Sequence, residues 1–252
     1  MPRESPVQQV TKILTDRFPK TPWADWTEKG ILSIQRQMPR SHTEKYELKT
    51  IWYWYPLYCL GGISFIAFII LTITGIILGF YYVPDGTITF DAEGNPSSPA
   101  YNSVKYIMTE VPFGYINRAV HHWAAHVMVA AVFMHMARVY FTGAYKNPRE
   151  INWIIGVILL LVTIIFGYSG YLLPWNDLSF GAANIGVNMT KAGGPPAIGN
   201  LMSGLLFAGT AISAGTVLRM YWLHVFVLPM IGIGLMLLHM GLVWIQGISE
   251  PH

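Results

Sequence analysis

The chain has 252 residues, of which 53% are hydrophobic, 14% aromatic and only 12% charged, and its mean hydropathy is +0.40. Soluble domains carry about 25% charged residues, so this composition excludes an ordinary soluble enzyme and a disordered chain. A net charge of +3 without a basic block argues against nucleic-acid binding, and a single cysteine excludes a disulfide framework or a cysteine-rich metal site.

The first 50 residues are polar and basic and show no signal-peptide pattern. Within them Trp26, Ile31, Leu32, Ile34 and Met38 can share one apolar face, with Lys29, Arg36 and Arg40 beside it. That is the pattern of an amphipathic helix lying in the membrane interface. A loosely ordered basic tail held near anionic lipid is the alternative. The expected division is an N-terminal extension over residues 1–50 and a membrane domain over 51–252.

Four stretches reach the about 20 apolar residues that a membrane-crossing helix needs. They lie near Leu57–Tyr82, Arg118–Phe141, Trp153–Leu173 and Val217–Ile245, and the first and third contain no charged residue. The short alternating segments of a transmembrane barrel are absent. The expected fold class is therefore an all-α integral membrane protein, a bundle of four transmembrane helices. Of the 16 Lys and Arg, 12 lie before residue 50 or at and beyond the end of the second span (Arg138, Lys146, Arg149). Only Lys105, Arg118, Lys191 and Arg219 lie on the other side. The excess of positive charge puts both termini and the loop between the second and third spans on the negative, cytoplasmic side.

Six of the eight histidines fall in the second span (His121, His122, His126, His135) or the fourth (His224, His239); His42 and His252 lie near the chain ends. Ionisable residues inside a span are costly, and are functional candidates for that reason. At about 100° per residue, His121 and His135 fall within about 40° of one helix face, and His224 and His239 within about 60°. His122 and His126 point about 140° and 180° away from His135. Fourteen residues rise about 21 Å, too far for a one- or two-metal centre but suited to two flat cofactors stacked through the membrane. The second and fourth spans run in the same direction. His121 then pairs with His224 near the positive side, and His135 with His239 near the negative side, each pair able to grip a haem from opposite faces. Two unrelated pairs of buried histidines, each bonded to a neighbouring helix, are the alternative.

Glycines carry the same stagger. Gly61 and Gly75 in the first span, and Gly156 and Gly170 in the third, are each 14 residues apart, and a missing side chain lets a macrocycle approach the backbone. Glycine-mediated helix packing is the bland explanation. Arg118, Arg138 and Arg219 lie three to five residues from a histidine. They could fork onto haem propionates, or snorkel at helix ends. Cys59, taken alone, reads as a small buried hydrophobe, and no Cys-x-x-Cys-His attachment motif is present.

The assembled pattern resembles the cytochrome b family of the Rieske–cytochrome b complexes, in its short, cytochrome b6 form. The similar stretches are Arg118-Ala-Val-His121, Met134-His135-Met-Ala-Arg138, Leu223-His224-Val-Phe-Val-Leu-Pro229 with His239, Gly156-Val-Ile-Leu-Leu-Leu161 and Gly170-Tyr-Leu-Leu-Pro-Trp175. Tyr58-Cys59-Leu-Gly-Gly62, Tyr106-Ile-Met-Thr-Glu-Val111, Lys146-Asn-Pro-Arg-Glu150 and Gln246-Gly-Ile-Ser249 match as well. The resemblance runs from about Tyr58 to Gly247, and the histidine spacings of 14 and 15 are those of the short type.

The resemblance implies electron transfer from a quinol oxidised on the positive side to a quinone reduced on the negative side, coupled to proton translocation. It implies a low-potential haem b on His121 and His224, a high-potential haem b on His135 and His239, and one haem c attached covalently through Cys59. Implied partners are a subunit IV-like chain carrying a Pro-Glu-Trp-Tyr motif, a Rieske iron–sulfur protein, a c-type cytochrome and membrane lipid, in a dimeric complex. Pro-Glu-Trp-Tyr does not occur in this sequence, so quinol oxidation is expected to need the partner. The family's Arg-Lys pair before Gln-Gly-Ile-Ser is here Trp244 and Ile245, which removes one propionate partner of the covalent haem; Lys49 or Arg40 could substitute. The longer N-terminal extension favours a bacterial membrane. A dihaem anchor of a dehydrogenase or hydrogenase is the competing reading, and a transporter without redox work is a third.

Overall fold

The computed structural model describes residues 59–90 and 94–247; the expected interfacial helix of the N-terminal extension lies outside the described residues. Among the described residues, four helices are long and apolar enough to cross a membrane. The first is α1 (Leu60–Gly79), which follows a short bend at Cys59. After a two-stranded antiparallel ribbon, β1 (Thr89–Phe90) with β2 (Pro96–Ser97), comes the short helix α2 (Pro99–Thr109). The second and third spans are α3 (Gly114–Phe141) and α4 (Glu150–Leu172). Two short helices, α5 (Asp177–Ala192) and α6 (Pro196–Phe207), fill the next connection. The fourth span is compound: α7 (Ala214–Trp222), a π-turn (Leu223–Val227) and α8 (Leu228–Gln246).

The expected spans thus recur with ends shifted by a few residues. Their outward faces are apolar and exposed, Ile66, Ile76 and Leu237 among them, as a lipid-facing surface requires. The connections are more structured than a loop reading suggests, because the sequence caps their helices. Ser98 accepts from the Tyr101 N–H ahead of Pro99, and Asn176 accepts from the Ser179 N–H.

The π-turn has a counting consequence. A π-turn takes one residue more than the α-helical count, so fifteen residues along this span advance the helix by about as much rotation as fourteen do along α3. The mismatch between the two histidine spacings is absorbed there, in the turn that contains His224.

The chain divides into two compact units. One unites Gly62–Val132 with Leu161–Ile233, and it packs the connections on a small core. Ala100, Leu172, Trp175, Val187, Phe207, Val217 and Met220 are buried together there. The other unites, among the described residues, 59–61 with Phe133–Leu160 and 234–247. There, Tyr145 lies against Tyr140 and Trp153 at ring-centre distances of 5.7 and 5.5 Å.

Candidate functional site

In the larger unit, His121 on α3 and His224 in the π-turn are half-buried and face each other. Their ring centres are 6.4 Å apart, and the ring planes are inclined by 68°. Both rings are held from behind by a hydroxyl. Thr74 Oγ1 lies 2.7 Å from the Ile70 carbonyl and 2.9 Å from His121 Nδ1. Ser169 Oγ lies 2.8 Å from the Ile165 carbonyl and 3.0 Å from His224 Nδ1. Each hydroxyl has one hydrogen, and donating it to the helix carbonyl leaves the oxygen to accept from Nδ1–H. The Nε2 atom of each ring is then the bare nitrogen, the one able to bind a metal.

Directly after each hydroxyl residue comes a glycine. A Cβ on Gly75 would sit 3.2 Å from His121 Cε1, and one on Gly170 would sit 2.7 Å from His224 Cε1. Thr74-Gly75 and Ser169-Gly170 are therefore matched dipeptides: the hydroxyl orients the ring and the glycine makes room for it. Asn117 Nδ2 donates to the Thr74 carbonyl at 3.1 Å, which ties α3 to α1 one turn before His121.

The smaller unit repeats half of this pattern. His135 and His239 are half-buried, and a Cβ on Gly61 or Gly156 would come 3.2 or 3.5 Å from the Cε1 of His135 or His239 respectively. The preceding residues are Leu60 and Ile155, apolar and buried. His239 Nδ1 is buried and meets no hydroxyl. His122 and His126, expected on a different face, are exposed and lie against each other, ring centres 4.7 Å apart.

The residues fit a bis-histidine group. Two imidazoles bound to one metal from opposite sides, each at about 2 Å, have ring centres about 6 Å apart, close to the separation of His121 and His224. Among the described residues no group of three or more His, Cys, Asp or Glu is gathered to hold a bare metal ion, whereas a macrocycle that brings its own four ligands needs only two.

The expected arginines are placed differently from one another. Arg118 Nη1 lies 3.6 Å from Met108 Sδ. Arg138 is half-buried one turn beyond His135. Arg219 Nη1 donates to the carbonyls of Gly204 and Leu205, both at 2.6 Å, and so caps the last turn of α6. Cys59 is an exposed free thiol two residues before Gly61. Two stretches singled out in the sequence meet in the same unit: Arg149 Nε donates to the Gly247 carbonyl at 3.3 Å, and Gln246 Nε2 to that of Pro148 at 3.0 Å.

The Gly170–Trp175 segment is latched in the larger unit. The Tyr82 hydroxyl donates to the Leu173 carbonyl at 2.6 Å, and its ring stacks on Tyr221 at 5.6 Å. Burial, reinforced by Tyr221, pushes the Tyr82 pKa above the usual tyrosine value. Trp175 follows in the left-handed backbone region (φ 51°) with its indole buried. An apolar cavity of about 280 Å³ lies between the end of α1 and the α2–α3 turn, lined by Ile77, Tyr81, Ile107, Phe113 and Asn117 among others.

Residues 43–247 match the family described as Cytochrome b/b6/petB. Curated relatives named "Cytochrome b6" from Acaryochloris marina, Heliobacterium mobile and Porphyra purpurea are 43%, 41% and 42% identical over 194 residues. These matches cover 77% of this chain and 84%, 85% and 84% of the relatives. A solved chain titled "Hyperthermophilic respiratory Complex III" superimposes with a TM-score of 0.67 at 29% identity, over 85% of this chain; the match spans only 56% of that chain's length. The chain belongs to the cytochrome b/b6 family, integral membrane proteins of electron transport that bind b-type haem.

Proposed function

We propose that this chain is the electron-carrying subunit of a quinol-oxidising Rieske–cytochrome b complex, holding one b haem between His121 and His224 and a second between His135 and His239. The observation that carries the reading is the one-to-one facing of four histidines by four glycines, two of each in either unit. When bound, each haem supplies one-electron redox chemistry. The histidines supply neutral nitrogen ligands, the glycines supply clearance, and the apolar spans exclude water. An electron crossing such a low-dielectric path moves charge across the membrane, which is how the complex conserves the energy of quinol oxidation as a proton gradient.

The remaining parts of the reading follow the chain's own residues. Both termini and the α3–α4 loop face the negative side, in a bacterial cytoplasmic membrane. The N-terminal extension is a separate element on that side. The latched Gly170–Trp175 segment borders the quinol oxidation pocket. Its carboxylate base must sit beside the quinol hydroxyl, and a subunit IV-like chain supplies it. The matched relatives are themselves short chains, 194 residues making up 84% of one of them. A Rieske protein and a c-type cytochrome complete a dimeric assembly, and a quinone is reduced near the negative-side haem. A third haem would be held covalently by Cys59: the thiol would add across one vinyl group, forming a C–S bond and passing its hydrogen to the neighbouring carbon, with no oxidant required.

Reduced-minus-oxidised spectra of membranes carrying single variants test the ligand sets. His121→Ala or His224→Ala should remove one b haem, and His135→Ala or His239→Ala the other. His122→Ala should remove neither. Both b haems intact in His135→Ala would refute the assignment. A large cytoplasmic dehydrogenase subunit copurifying in place of a Rieske protein would overturn the complex.

A further inference from the structure

The two histidine pairs differ in one respect that their spacing does not show. Behind His121 and His224 stand hydroxyls, Thr74 at 2.9 Å and Ser169 at 3.0 Å, each passing its own hydrogen to a helix carbonyl. In the other unit the residues at the equivalent place, just before the facing glycine, are Leu60 and Ile155, which carry no hydroxyl. A backbone carbonyl lies at the His121, His224 and His239 rings alike, those of Leu71, Phe166 and Asn152 respectively, so the added hydroxyl is what sets the first pair apart. Resting on the ligand sets proposed above, we infer that Thr74 and Ser169 are positioning residues that fix the ring tautomer of His121 and His224 and lower the reduction potential of the haem they hold relative to the other.

The direction follows from charge. An Nδ1–H that is hydrogen-bonded makes its ring a more basic ligand through Nε2. The bond here is the first link of a chain, Nδ1–H to Oγ and Oγ–H to carbonyl, and each link polarises the next. A more basic ligand stabilises the ferric state more than the ferrous state, because ferric iron carries the larger charge. The electron is then released more readily, and the potential falls. Leu60 and Ile155 bring no hydroxyl to His135 and His239, so that added contribution is missing there, and their haem holds an electron more tightly. Two hydroxyls placed at one pair and withheld from the other thus set a downhill step between them.

The test uses the intact complex in its membranes, with redox titration and the low-temperature EPR spectrum of each ferric haem as readouts. Outer-shell partners of metal ligands are worth about ten- to a hundred-fold. Thr74→Val and Ser169→Ala should each change the ferric-to-ferrous ratio of the His121–His224 haem by about tenfold in favour of ferrous, an upward shift of about 59 mV for one electron. The His135–His239 haem should not move. Thr74→Ser and Ser169→Thr keep a hydroxyl and should restore the original potential and EPR signal. Should Thr74→Val lose that haem outright while Thr74→Ser keeps it, the hydroxyl is still the positioning group. Unchanged potentials in Thr74→Val and Ser169→Ala with both haems bound would overturn the inference while leaving the ligand sets standing, as would an equal shift in Thr74→Ser. Wild-type membranes in which this chain holds no b haem would remove both readings together.

Discussion

Gly170→Ala is the sharpest perturbation of the site. The new methyl group would sit 2.7 Å from His224 Cε1, 3.2 Å from Nε2 and 3.3 Å from Nδ1. Carbon atoms prefer about 3.5–4.0 Å, so the ring must retreat by about 1 Å, and overpacking on that scale costs about 1–3 kcal/mol. Retreat also breaks the 3.0 Å bond to Ser169, worth about 1 kcal/mol. Ala is the better helix former by about 1 kcal/mol, so the net loss is about 1–3 kcal/mol. At about 1.4 kcal/mol per tenfold, the haem proposed to lie between His121 and His224 should be retained roughly ten- to a hundred-fold less well. Gly156→Ala supplies the control, since its methyl would stand 3.5 Å from His239 Cε1, an ordinary contact. Gly75 and Gly61, both at 3.2 Å, should fall between. Haem-to-protein ratio from pyridine haemochrome spectra, with redox titration to say which haem is lost, measures the series. Gly156→Ala proving as damaging as Gly170→Ala, or Gly170→Ala keeping both haems unperturbed, would refute the reasoning.

On a denaturing gel stained for haem peroxidase, the wild-type band should stain and Cys59→Ser should not; an unstained wild-type band from cells with intact haem-attachment machinery ends the covalent haem. Tyr82→Phe removes a 2.6 Å hydrogen bond and strands the Leu173 carbonyl, at about 1–3 kcal/mol, and hydrogen exchange should speed up around Leu172–Trp175. Because burial raises the Tyr82 pKa, its contribution to stability is constant below the unfolded tyrosine value of about 10 and is lost as pH climbs above it toward the folded value. The alkaline arm of a melting curve should therefore be shallower in Tyr82→Phe than in wild type. Arg219→Ala frees two carbonyls at the end of α6; limited proteolysis between Gly204 and Ser213 should accelerate with haem content held, whereas loss of haem without new cleavage would make Arg219 a propionate partner instead.

The long-period features were legible because a membrane imposes them. Spans of about 20 apolar residues and histidines on one helix face need no tertiary information, and His122 and His126 could be set aside by angle alone. What escaped was short-range. Thr74 and Ser169 look like ordinary span residues until a ring is found behind each, although their place immediately before the 14-spaced glycines was a signal. The π-turn was announced by the unequal spacings of 14 and 15, but a count cannot say where one extra residue is absorbed. Helices α2, α5 and α6 were legible from Ser98-Pro99, Asn176-Asp177 and Pro195-Pro196, and were overshadowed by the stronger span signal. Arg219 shows the reverse case: proximity in sequence to His224 suggested one partner, and the structure supplies two carbonyls of α6.

The crossed pair formed by Arg149 with Gly247 and Gln246 with Pro148 bears on how this protein can be recombined with its relatives. Each bond joins a side chain of one segment to the backbone of the other, and Gly247 presents its carbonyl from a left-handed backbone (φ 74°) that other residues adopt reluctantly. A relative that carries the same Pro148, Arg149, Gln246 and Gly247 can exchange its fourth span or its α3–α4 loop with both bonds kept; one that lacks Arg149 or Gln246 loses a bond in the exchange. Crossovers that split residues 146–150 from 244–247 should express when the other parent shares Arg149, Gln246 and Gly247, and should not when it lacks one of them, even where all four histidines are retained.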